Sequence, residues 1–106
     1  MNTKLVTYFG FAIRAGKAVF GVDDIDALKK RAYVIVVDES LGESSKKTVH
    51  KAQERFHCPM WIAQTGVLGE YLHKPAVKAV AIRDENLALA IVKEAEQTQE
   101  FRKELL

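Results

Sequence analysis

The sequence predicts an α/β chain folded as a three-layer α-β-α sandwich, with a four-stranded mixed sheet and helices on both faces. Segments of helical and strand periodicity alternate along the chain with only a few residues between them, the pattern that stacks helices on both sides of a sheet. The apolar run Tyr33 to Val37 is continuous rather than alternating, as a strand covered on both faces requires.

Each element follows from its residues. From Thr3, a candidate cap, Leu5, Val6, Phe9 and Ile13 recur at helical spacing until Ala15 and Gly16 stop the first helix. Lys17 to Phe20 is then a short strand, and Gly21 turns the chain into a second helix with Ile25 and Leu28 facing inward. Asp23, Asp24 and Asp26 fall in its first turn and Lys29, Lys30 and Arg31 in its last, an arrangement that complements the helix dipole. Tyr33 to Val37 belongs near the middle of the sheet. After a polar loop, Asp38 to Ser44, the residues Val49, Ala52 and Phe56 mark a third helix closed by His57, Cys58 and Pro59. Met60 to Ala63 is a strand, Val67 to Leu72 a short helix, and Val77 to Ile82 the fourth strand. Leu87, Ile91, Ala95, Thr98, Phe101 and Leu105 trace one face of a long last helix, so the tail from Gln97 to Leu106 is expected to be helical.

A length of 106 residues at 48% hydrophobic content suits one domain covering residues 1–106. The single cysteine excludes an internal disulfide, and no apolar run is long enough for a signal peptide or a membrane span. The expected compartment is the cytoplasm, with no membrane partner. Charge is uneven: residues 1–83 hold 13 Lys and Arg against 8 Asp and Glu, whereas residues 84–106 hold 3 against 6. Such a chain can approach nucleic acid with one face only, although so small an excess fits an ordinary charged surface about as well.

The glycine-rich stretch Gly10 to Gly21 has neither Rossmann nor P-loop spacing. His50, His57, Cys58 and His73 lack the spacing of a metal set, so no metal or cofactor is expected. Cys58 reads as a packing residue. Asp23, Asp24, Asp38 and Asp84 lie near strand or helix ends but without a nucleophile or metal partner, so the chain does not read as an enzyme. Lys47, Lys51 and Arg55, with Lys46 beside them, repeat at i, i+4 and i+8 and form a stripe that tracks phosphates or is simply a solvated helix face. Trp61 and Tyr33 read as sheet or core residues.

Several short motifs share an order and spacing. Arg14-Ala15-Gly16-Lys17 is followed by Gly21, then Leu68-Gly69-x-x-Leu72, then Val80-Ala81-Ile82-Arg83-Asp84-x-Asn86-x-Ala88. In these the chain resembles the kink-turn-binding ribosomal proteins of the large-subunit seven-Ae and thirty-e superfamily, most nearly their bacterial YlxQ-like branch, from Leu5 to about Ala95. The resemblance implies the same sandwich and a role in binding kink-turn or ribosomal RNA. It assigns the RNA contacts to Gly21, Val22, Asp23, Asp24 and Ala27, to Asp38, Glu39 and Ser40, and to the loop Arg83, Asp84, Glu85, Asn86 and Leu87, with Lys17 near a phosphate. Where the family reads G-x-N-E-x-x-K, this chain has Asp23, Asp24 and Ala27. An amide that donates and accepts has become acceptor-only, and a cation is lost, which implies weakened recognition.

The leading expectation is a non-catalytic, ribosome-associated RNA-binding protein using the Lys17 corner, the Gly21 helix start and the Arg83 loop as one contiguous face. The alternatives are a protein-interaction module whose acidic helix-two start recognises a basic partner, and a small-ligand site at the strand ends.

Overall fold

The computed structural model describes residues 1–104. Its elements are α1 (Thr3–Arg14), β1 (Ala18–Phe20), α2 (Val22–Ala27), β2 (Val34–Asp38), α3 (Glu43–Phe56), β3 (Met60–Ala63), α4 (Val67–Leu72), β4 (Ala79–Ile82), α5 (Glu85–Ala95) and β5 (Phe101–Lys103). Among the described residues, the strands form one sheet in the order β1-β4-β2-β3-β5, in which only β2 and β3 are parallel. The sandwich layout agrees with the sequence reading, but the sheet has five strands instead of four.

β2 lies at the centre and explains the layers. Val34 and Val36 face α1, α4 and α5 and pack with Leu5, Phe9, Tyr71 and Ile91. Ile35 and Val37 face α2 and α3 and pack with Ile25, Val49, Ala52 and Phe56. Each fully buried aliphatic or aromatic side chain contributes about 1.5–3 kcal/mol, so a strand apolar on both faces anchors both layers.

The fifth strand corrects the expected long helix. α5 stops at Ala95, and Thr98 Oγ accepts from the Glu100 N–H at 3.2 Å as the chain turns back. Residues 101–103 then pair antiparallel with β3, Ala63 opposite Phe101 and Trp61 opposite Lys103. Without this pairing, the edge of the buried β3 would be left unsatisfied. Leu105, expected on the same helix face, lies outside the described residues.

Three smaller boundaries also differ. Asn2, not Thr3, caps α1, its side chain accepting from the Leu5 N–H at 3.0 Å. α3 begins at Glu43, earlier than the polar loop suggested. α2 ends at Ala27, because Leu28 turns extended with ψ 124° and packs against the α3-side core. Lys29, Lys30 and Arg31 therefore lie beyond the helix and do not complement its dipole.

Candidate nucleic-acid interface

The sheet register decides which candidate residues meet. β4 runs antiparallel to β1, with Ala18 opposite Ile82 and Phe20 opposite Val80. The residue after β4 therefore lies beside the residue before β1: Arg83 N–H donates to Lys17 O at 2.8 Å. At the other end, Gly21 N–H donates to Ala79 O at 2.9 Å, and Asp38 N–H to Lys78 O at 2.8 Å. Lys17 and Gly21 lie four positions apart along extended chain, about 13 Å. The expected single face is thus two faces at opposite ends of the sheet, Lys17 with Arg83 at one and Gly21 with Asp38 at the other.

At the Gly21 end, α2 starts without a side-chain cap, and Asp23 and Asp24 are exposed in its first turn. Val22 packs against the α3-side core, and Ala27 is exposed one turn beyond Asp23. Asp38 is 3% exposed. Ser40 donates to its Oδ1 from the backbone N–H (2.8 Å) and the hydroxyl (2.6 Å), and Gly66 N–H donates to its Oδ2 at 2.8 Å. Burial pushes this carboxyl up, but those bonds and the nearby Lys78 outweigh it and hold the pKa below the ordinary 3.8. Asp38 is thus closed to a nucleic acid, and Ser40 is committed to holding it. Glu39 is exposed but pairs with Arg102 of β5 at 3.1 Å.

Two cations that sequence reasoning passed over sit at this same end. Lys74 and Lys78 lie in the connection between α4 and β4, with Lys74 Nζ 5.2 Å from the centre of the Phe20 ring. Gly69 permits this placement, since a Cβ there would meet Pro75 Cα at 3.0 Å. The glycine in the Leu68-Gly69 motif was the available signal; the fold-back over it was not legible locally.

The Lys17 end is the more basic. α1 closes with a Schellman pair, Gly16 N–H to Ile13 O (3.1 Å) and Lys17 N–H to Ala12 O (2.8 Å), with Gly16 at φ 68°. This sets Lys17 at the entry to β1. Tyr33 N–H donates to Ile82 O at 2.8 Å, bringing the segment of Lys29, Lys30 and Arg31 to the same end. Arg31 lies over the Tyr33 ring, 4.9 Å from its centre. Arg83 is half-buried, and its Nε finds no acceptor among the described residues. The ion pairs among the described residues, Lys46–Glu43 and Arg102–Glu39, involve none of these cations. Asp84 is occupied as the cap of α5, accepting from Leu87 N–H at 2.9 Å. Leu87 packs into the core, while Glu85 and Asn86 are exposed.

The α3 stripe is broken by Arg55, which is exposed but committed to the protein's own backbone. Its Nη2 donates to the carbonyls of Ile25 (3.4 Å), Asp26 (3.0 Å) and Leu28 (3.3 Å), closing the C-terminal end of α2. Lys47 and Lys51 remain exposed. His57 and His73 are left-handed C-caps of α3 and α4, at φ 53° and 56°. Cys58 is 7% exposed, and burial pushes its thiol up to about 11, so it is not a thiolate at neutral pH.

Neither a family model nor a curated protein matches the chain. Among solved structures, the chain is similar to a protein of unknown function from Bacillus halodurans C, with a TM-score of 0.75 at 15% identity. The match covers 87% of this chain and 96% of that one. At that identity the likeness shows the fold alone.

Proposed function

We propose that the chain is a non-catalytic RNA-binding protein related to the kink-turn-binding ribosomal proteins, and that its phosphate contacts lie at the Lys17 end of the sheet. The observation that carries this reading is the convergence there of Lys17, Lys29, Lys30, Arg31 and Arg83 from three separate segments, with no ion pair to any of them among the described residues. Unpaired cations are free to displace the counterions of a phosphate backbone, which is the main source of affinity for RNA. The Gly21 end then supplies discrimination. There Asp23 and Asp24 accept from base edges, with Lys74 and Lys78 nearby to offset their charge.

The test is a titration with a kink-turn RNA and a plain duplex at two salt concentrations. If the five cations neutralise three to five phosphates, the log–log salt slope on the duplex is about −3 to −4.5. Lys17→Ala reduces binding to both RNAs. Asp23→Asn, which restores a donor and removes a charge, strengthens kink-turn binding alone. A tenfold preference for the kink-turn, about 1.4 kcal/mol, supports structure-specific recognition. No binding to either RNA overturns the proposal.

A second reading is favoured by one observation: Asp23, Asp24 and Asp26 are all exposed and unpaired among the described residues. In that reading the Gly21 end docks a basic partner protein. It requires a lysine- and arginine-rich peptide to bind in the same assay, and Asp23→Asn to weaken that peptide.

A further inference from the structure

Beside the Lys17 end, α5 and the corner between α3 and β3 enclose an open groove of about 200 Å³, lined by Tyr33, Pro59, Ala88, Leu89 and Val92. Its rim carries Glu85 as well as Arg31 and His57, so it singles out neither an anion nor a cation. Leu89 is 64% exposed in a helix whose other large apolar residues are covered or half-covered. The exposed residues of α5 are Glu85, Asn86, Leu89 and Lys93. Three of them recur every four residues, so an acid, a leucine and a base follow one another along one outward stripe.

We infer that the groove receives Leu89 of a second copy of this chain, in a two-fold dimer whose α5 helices pack antiparallel about that residue. Charge complementarity selects this occupant. At a rise of about 1.5 Å per residue, Glu85 and Lys93 lie about 6 Å to either side of Leu89. A two-fold axis at Leu89 therefore sets Glu85 of each helix opposite Lys93 of the other, twice per dimer. A parallel arrangement would face Glu85 with Glu85 and Lys93 with Lys93, so the charges fix the orientation. Both ion pairs are exposed and contribute little on their own; they set the register, while affinity comes from the apolar centre. There each Leu89 packs on its counterpart at the axis and enters the slot of the other copy beside Tyr33 and Val92. A groove of this volume holds about six waters, which a leucine side chain displaces from apolar walls. A two-fold contact needs one patch that supplies both knob and hole, and here Leu89 and the slot share one surface. No RNA takes part in this contact, which is independent of the RNA-binding reading.

The test is sedimentation equilibrium of the RNA-free chain at low salt, over concentrations up to about 1 mM. The mass of the wild-type chain is expected to rise from that of the monomer towards twice that value. Leu89→Gln is expected to raise the dissociation constant about a hundredfold, tenfold for each of the two symmetry-related side chains. Leu89 is exposed, so this substitution leaves the fold intact, which an unchanged melting curve verifies. Glu85→Lys and Lys93→Glu, each made alone, set like charges opposite one another and weaken the dimer, whereas the double exchange restores it. Restoration separates a pairing of these two residues from a general effect of surface charge. A monomer throughout the range overturns the proposal, as does a dimer that Leu89→Gln leaves unchanged or one that the double exchange fails to restore.

Discussion

Asp38 carries a negative charge into a site only 3% exposed and keeps it, because Ser40 and Gly66 together give its carboxylate three hydrogen bonds. Removing it strands the Gly66 and Ser40 donors. Asp38→Ala is therefore expected to cost about 2–3 kcal/mol in urea unfolding at pH 7. The pH dependence follows from the lowered pKa: this contribution is present above the ordinary value of 3.8 and is lost as pH falls through the folded-state value. The gap between wild type and Asp38→Asn is then expected to narrow in acid; a gap that widens there contradicts the account. In the sequence Asp38 is a strand-end acid, and only the family resemblance implies that it contacts RNA. Its donor Gly66 lies 28 positions away, a closure that local pattern does not contain.

Among the elements, α2 and β5 were least legible for the same reason: each is short and held by a distant partner. The Lys-Lys-Arg sequence after Leu28 continues a helix by propensity alone, yet packing of Leu28 and the Arg55 guanidinium end it. Arg55→Ala is expected to destabilise α2 selectively, by about 1 kcal/mol, seen as faster amide exchange at Ile25 to Leu28 with the exchange of β2 little changed. β5 has one apolar residue in three positions, too few for a period of two to appear. It is fastened by Tyr71, whose hydroxyl donates to Glu100 Oε1 (2.5 Å) and accepts from Asn2 N–H (2.8 Å), joining both ends of the chain to α4. Burial, then the Glu100 bond, pushes this phenol from 10.0 up to about 12. Stability from Tyr71 is thus complete below pH 10 and lost as pH rises towards 12. Tyr71→Phe is expected to cost about 1–2 kcal/mol at pH 7 and to remove that alkaline dependence. The longer elements were legible because their apolar periodicity is backed by burial: α1, β2, β3 and α4 lie within two residues of where their spacing placed them.

At the scale of the whole molecule, the antiparallel pairing of β4 with β1 and with β2 sorts the charged segments. It sends Lys17, Lys29, Lys30, Arg31 and Arg83 to one end and Gly21, Asp23 and Asp24 to the other. A linear reading sees Lys17 and Gly21 four residues apart and joins them; a strand between them points them apart. Among the described residues, no helix is long and apolar enough to cross a membrane. The most direct test of the basic end as the RNA contact is a backbone-amide chemical-shift map of the ¹⁵N-labelled chain titrated with a kink-turn RNA at low salt. The account predicts the largest shifts at Lys17, Lys29 to Tyr33 and Arg83, fading as salt is added. Shifts confined to Gly21 to Asp26 and Lys74 to Lys78, or none at either end, would contradict it.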